Sequence, residues 1–253
     1  MPILSLSNRN IYYEEYGNGP AVFFIHPPGM GRKTFVKQLS LRKSMRVVLI
    51  DLSGHGDSTC SFVPSLQEYM EDLAAVQDKL QEEKVILFGY SAGGVIVQQY
   101  ALEYPDRVKA VILSGGYPKV ESDILKWEHE IGINMVRYTP SMLAHLLGFS
   151  HFASKNEKRM MTEHIKKANR MAWRHYYECS LAFDCVEHLS RWSHPTLLLY
   201  GALSKQINTH AHFYEQLPDK EIVYIKWANH QLPTRYSNKI NPIIENFVKR
   251  HRK

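Results

Sequence analysis

An α/β fold, with a mostly parallel eight-stranded sheet flanked by helices, is what this sequence predicts, on three observations. Strand-like and helix-like segments alternate along the chain, the pattern of strands joined by crossover helices. Several strand-like runs are apolar throughout rather than alternating, as strands covered on both faces must be. The composition, 44% hydrophobic and 22% charged over 253 residues, suits a chain that buries one large core without staples. It excludes a disordered chain, which would be poorer in aromatic and β-branched residues. The apolar runs at 21–25, 47–50 and 196–200 are strand-sized, far short of the ~20 residues of a membrane-spanning helix.

The elements follow in order. Ile3 to Ser7 and Ile11 to Tyr16 flank the polar Asn8-Arg9-Asn10 and read as a hairpin. Gly17-Asn18-Gly19-Pro20 turns the chain into the apolar strand Ala21 to Ile25. Val47 to Ile50 repeats that signature. Ser65 and Glu68 have capping-box spacing, and Leu66, Tyr69, Leu73, Val76 and Leu80 keep one helical face apolar. Lys84 to Phe88 is the next strand, Val95 to Tyr104 a helix closed by Pro105, and Val108 to Leu113 a strand. Further strands are expected at Thr196 to Tyr200 and Ile222 to Trp227, and helices at Thr209 to Leu217 and Asn238 to Arg250.

One stretch breaks the alternation. From Tyr117 to Pro195 the sequence is helix-like, with only Gly132 and Gly148 as glycines and many Met and aromatic residues. It reads either as a helical lid over a pocket or as extra core-packing helices. The expected division is therefore a core of residues 1–116 and 196–253 carrying an inserted lid at 117–195.

The net charge of +6 is scattered, and the dense run Lys249 to Lys253 suits the negative end of a terminal helix, so nucleic-acid binding is not expected. Cys60, Cys179 and Cys185 form no CxxC pair, which argues against disulfides and thiolate metal sites. The N-terminus lacks the basic start and long apolar stretch of a signal peptide, and a cytoplasmic protein is expected.

Chemistry concentrates in Gly89-Tyr90-Ser91-Ala92-Gly93, a G-x-S-x-G pentapeptide between an apolar strand and a helix. The glycines permit a very tight turn that projects the Ser91 hydroxyl, and the helix start offers the Ala92 N–H to a developing oxyanion. A serine needs a base. His230 lies just past the last expected strand, at the same sheet edge as Ser91, and an imidazole of pKa near ~6.5 can accept and return a proton. The thirteen histidines show no i, i+4 pair of the H-E-x-x-H kind, and no metal site is expected.

With these motifs in hand, the chain resembles a lid-bearing member of the α/β-hydrolase superfamily over nearly its whole length. Supporting stretches are Ile25-His26-Pro27-Pro28-Gly29-Met30-Gly31, where the family usually has His-Gly, and Asp51-Leu52-Ser53-Gly54-His55-Gly56-Asp57-Ser58, similar to its D-x-R-G-x-G-x-S loop. The resemblance implies Ser91 as nucleophile and His230 as general base, with His55 structural.

Two positions depart from the family. Ser204 stands where its acid usually lies, and no Asp or Glu occurs between Glu187 and Glu215. Asp123 or Glu121 is the candidate acid; otherwise Ser204, Asn208 or a water orients His230. Pro28, which has no N–H, falls at the usual second oxyanion donor, leaving Gly29 or Met30 to donate.

The expected function is a cofactor-free serine hydrolase. It would cleave an ester, thioester or similar carbonyl bond of a small, fairly apolar molecule through an acyl-enzyme. The alternatives are a non-hydrolytic or very slow signalling or ligand-binding protein and a cofactor-free lyase or C–C hydrolase, because one scaffold hosts many chemistries. Oligomeric state is left open.

Overall fold

The computed structural model describes residues 3–251. Its strands are β1 (Ile3–Leu6), β2 (Arg9–Tyr16), β3 (Ala21–Ile25), β4 (Arg46–Ile50), β5 (Thr59–Cys60), β6 (Val85–Tyr90), β7 (Val108–Ser114), β8 (Thr196–Gly201) and β9 (Lys220–Ile225). The helices are α1 (Leu66–Lys79), α2 (Gly93–Glu103), α3 (Asp123–Tyr138), α4 (Pro140–His151), α5 (Lys155–Ile165), α6 (Arg170–Ala182), α7 (Lys205–Asn208), α8 (Leu232–Arg235) and α9 (Ser237–Arg250).

One sheet runs in the order β1-β2-β4-β3-β6-β7-β8-β9. Pairing is parallel from β4 through β9 and antiparallel for β1–β2 and β2–β4. The eight expected strands are these. The two-residue β5 is an addition, pairing with β2 off the main path, and is too short to leave a periodic signal. The helix expected from Thr209 to Leu217 winds as a 3-10 helix over Thr209–Gln216.

Central strands β3, β6 and β8 are buried along their whole length. Alternate side chains serve opposite faces: Phe23 and Ile25 join one apolar cluster, Val22 and Phe24 the other. The Glu68 carboxylate accepts the Ser65 N–H at 2.8 Å, the capping contact expected from their spacing.

After β3 the chain moves to β4 on one side, and after β4 it crosses to β6 on the other. The loops leaving β3 and β6 therefore diverge at the carboxyl edge of the sheet. That opening is where ligands enter such sheets.

Helices α3 to α6 are inserted between β7 and β8, with their own apolar cluster of Met161, Ile165, Val136, Leu143, Phe152 and Trp173, closed by Met30 of the core. Buried polar contacts join insertion to core. His164 bonds Asp51 at 3.0 Å, Tyr176 donates to the His26 carbonyl at 2.9 Å, and the Asn169 N–H donates to the Gly54 carbonyl at 2.8 Å. Asp51 is the centre of this junction. Its carboxylate also takes the Arg32 N–H at 2.6 Å, the Arg32 guanidinium, and the Asp57 N–H at 2.9 Å. Burial pushes the Asp51 carboxyl up, but His164 and Arg32 outweigh it and hold it well below the usual carboxylate range. Among the described residues no helix is long and apolar enough to cross a membrane.

Replacing Arg32 by Met strands the buried Asp51 charge and is expected to cost about 3–5 kcal/mol in urea unfolding. Lys167→Met, which removes only a half-exposed partner of Asp57, should cost less than about 1 kcal/mol.

Candidate active site

The turn after β6 is built by steric necessity. Ser91 adopts φ +52°, a conformation non-glycine residues rarely take. Its N–H donates to the Ser114 carbonyl at 2.9 Å, and its carbonyl accepts the Gly94 N–H at 2.9 Å, so both its backbone groups are bonded. A Cβ on Gly93 would collide with the Ile25 carbonyl, so only glycine lets α2 start this close to β3. Ser91 is thus held proud of the sheet edge at the opening between β3 and β6.

His230, beyond β9, brings its Nε2 to 2.9 Å from Ser91 Oγ. The Tyr90 ring lies 5.3 Å from the His230 ring, tilted by 33°. On the Nδ1 side the imidazole lies against the main chain of Gly115, where a Cβ would stand 2.6 Å from Nδ1. Gly115 has φ +62° and brings no side chain of its own to that edge of the ring.

Among the described residues the His230 imidazole bonds only to Ser91. Asp123 stands exposed at the start of α3, beside Ile124, Lys126, Trp127 and Glu130 on the outer surface. Glu121 is also exposed, 3.6 Å from Lys119 and 3.9 Å from His212. Neither is joined to His230, because the segment leaving β7 carries both outward before α3 begins. Ser204 is a buried residue at the start of α7, and Asn208 donates to the Gly201 carbonyl at 3.0 Å. Neither bonds the His230 imidazole.

Ala92 lines the hollow, and its N–H has no partner among the described residues. Pro28 lines it without an N–H to give. The Met30 N–H is turned back to the Pro27 carbonyl at 3.2 Å. Gly29 is not among the lining residues and lies beneath the Trp173 indole. Of the two donors expected there, Met30 is thus already bonded, and the Gly29 N–H has no bonded partner among the described residues.

The hollow over Ser91 has a volume of about 230 Å³. Pro27, Pro28, Met30, Ser91, Ala92 and His230 form its floor, and α3, α4 and α6 supply Leu125, Glu128, Ile131, Leu143, Leu147 and Tyr177 above it. Two further histidines reach it. His129 meets the Tyr117 hydroxyl at 2.8 Å, and His151 meets the Tyr90 hydroxyl at 3.1 Å. Sequence reasoning passed over Tyr90 although it sits inside the pentapeptide. For His151 no local signal exists, since its role comes from a contact between distant segments.

Burial lowers His230 to about 4, with His151 adding to the effect. His151 falls to about 4 and His26 to about 4, both chiefly by burial. His55, held at Nδ1 by the Ser53 carbonyl at 3.0 Å, falls to about 3 for the same first reason. The structural part expected of His55 fits this setting.

One group among the described residues has metal-ligand geometry: Asp51, Asp57 and His164. The Arg32 guanidinium bridges both carboxylates, 2.8 Å from Asp57, so a fixed internal cation already stands between them.

Comparison with known proteins bears on the whole assembly. The model of the family described as serine aminopeptidase, S33 matches residues 32–234. A pimeloyl-[acyl-carrier protein] methyl ester esterase of Vibrio campbellii is 30% identical over 120 residues, 46% of this chain and 44% of that enzyme. A bifunctional esterase/perhydrolase of Acinetobacter calcoaceticus is 26% identical over 216 residues, 76% of this chain and 78% of that protein. The solved structure of an Exiguobacterium antarcticum esterase superposes with a TM-score of 0.87 at 19% identity, covering 98% of each chain, a likeness of fold.

His26, His55 and His151 are held neutral when folded but regain ordinary basicity when unfolded, so the unfolded chain binds more protons between pH 6.5 and 4. Stability should fall by a few kcal/mol as pH drops through that window. Asp72, pushed up to about 6 by burial, and Glu128, also raised by burial, oppose the trend, while His230, lowered to about 4, adds to it. Urea midpoints at pH 7 and pH 4.5 check the sign.

Proposed function

The chain belongs to the serine aminopeptidase S33 family of α/β-hydrolases, and from that premise we propose that it is a serine hydrolase of small carbonyl compounds. The observation that carries this reading is the 2.9 Å contact of His230 Nε2 with Ser91 Oγ at the floor of an apolar hollow. Ser91 Oγ attacks the carbonyl carbon while Nε2 takes its proton. The oxyanion forms beside the Ala92 N–H at the start of α2. Collapse expels the alcohol or thiol, which takes the proton from Nε2. Water, deprotonated by His230, then releases the acid and frees Ser91.

The volume of about 230 Å³ lies below the ~300–1,000 Å³ usual for drug-sized ligands and favours a small substrate. The wall of Leu125, Ile131, Leu143 and Leu147 favours an apolar acyl group. The esterase names of the relatives support an ester, such as a methyl ester, over other carbonyls. Residues 117–195 act in this reading as a lid on a core of 1–116 and 196–253, since α3, α4 and α6 roof the hollow.

A second reading has its own support. Among the described residues no carboxylate holds His230, and the loss of that partner costs a serine protease about 10⁴ in rate. With Pro28 in the oxyanion loop as well, a slow or non-hydrolytic ligand-binding protein fits these two features.

The deciding measurement is hydrolysis of a short-chain p-nitrophenyl ester. Wild type is expected to turn over slowly, and Ser91→Ala should lose at least about 10³-fold. Activity requires neutral His230, so it should fall only as pH approaches about 4, below the ordinary imidazole range. Asp123→Asn and Glu121→Gln should each stay within about twofold of wild type, as groups remote from the imidazole. Wild type and Ser91→Ala equally inert, with a ligand still raising Tm, would favour the second reading.

A further inference from the structure

His230 is left with a demand that the serine-hydrolase reading does not meet. A general base must be held in one ring orientation, and the usual means is a hydrogen bond at Nδ1. Here Nδ1 lies against Gly115 and has no bonded partner among the described residues. The ring must be fixed by other contacts.

Those contacts form a connected chain. The Leu147 carbonyl, 2.9 Å from His151 Nδ1, can only accept, so that nitrogen carries the proton, with Ser150 Oγ 3.0 Å away. His151 Nε2 is then an acceptor, and the Tyr90 hydroxyl donates to it over 3.1 Å. Burial raises the Tyr90 hydroxyl above its ordinary range, so it stays a donor at working pH. The Tyr90 ring packs 5.3 Å from the His230 ring, and the Gly115 main chain lies against the Nδ1 side. Arg235 completes the circuit: five residues after His230, it donates to the Phe149 carbonyl at 3.1 Å, to the Phe152 carbonyl at 3.4 Å and to the Ser150 carbonyl. It thereby fastens the end of α4, and with it His151, to the segment that carries the base.

We propose that Tyr90 and His151 are positioning residues that hold the His230 imidazole toward Ser91, the task a triad carboxylate performs in other serine hydrolases. The proposal rests on the serine-hydrolase reading and makes the insertion part of the catalytic apparatus. A carboxylate would also raise the basicity of His230; the tyrosine–imidazole pair orients without doing so. The titratable and charged groups around the pair are Ser91, His230, Ser150 and Arg235, with His129 and Glu128 also lining the hollow. A protonated His151 opposes protonation of His230, so removing His151 should move the acid limb of activity upward.

The test uses the full chain, the p-nitrophenyl ester and a fluorophosphonate that labels reactive serines. Tyr90→Phe keeps the ring and loses the hydroxyl; His151→Leu loses the acceptor; His151→Gln keeps an acceptor oxygen for Tyr90. Tyr90→Phe and His151→Leu should each lower kcat and the labelling rate about tenfold with KM within about twofold. His151→Gln should be about threefold faster than His151→Leu, and both His151 variants should shift the acid limb to higher pH. Rates within twofold of wild type for Tyr90→Phe and His151→Leu would overturn the proposal while leaving the hydrolase reading intact. So would losses that follow the fall in Tm with the acid limb unmoved. A wild-type chain that is neither labelled nor active would overturn both.

Discussion

The site depends on one steric constraint, the close approach of the β6–α2 turn to the carboxyl end of β3. Gly93 sits against the Ile25 carbonyl, and Ser91 is driven into a left-handed conformation costing about 1–3 kcal/mol. The cost is borne by the buried sheet around it, where β3 and β6 pair in register from Val22 with Ile86 to Ile25 with Gly89. Because those strands cannot slide, the hydroxyl stays raised above the sheet edge. The α2 start stays beneath it, with the Ala92 N–H unspent.

A second constraint acts between the insertion and the core. Its apolar cluster meets the core through Met30, but the polar contacts set its position. Asp51 to His164, the His26 carbonyl to Tyr176, and Tyr90 to His151 each satisfy a buried group that would be costly alone. A hydrophobic contact tolerates sliding; a buried hydrogen bond does not. The roof of the hollow is therefore held in register with its floor.

The electrostatics follow from the same packing. Burying imidazoles without carboxylates makes them weak bases, and His230 and His151 each fall to about 4. Burial would push the Asp51 carboxyl up, and it is held low because His164 and Arg32 face it. The strongest charge compensation thus lies at the junction of insertion and core, while among the described residues no charged group bonds the His230 imidazole. An imidazole of this kind is neutral over the whole physiological range and accepts protons reluctantly.

Much of this was legible in the chain itself. The apolar runs at 21–25, 47–50 and 196–200 read as strands covered on both faces, because only a doubly covered strand is apolar on both faces. Gly89, Ser91 and Gly93 marked the tight turn, since backbone conformation is a local property. The order of serine and histidine along the chain pointed to one sheet edge. Tertiary structure alone decided the rest: that His230 reaches Ser91 across 139 residues, that Asp51 meets His164 across 113, and that His151 finds Tyr90 across 61. It also put Asp123 on the outer surface and Gly115, without a side chain, at Nδ1. Periodicity and turn chemistry report what a residue does to its neighbours in sequence. Which distant group a buried donor meets depends on how whole elements pack, and no short segment carries that information.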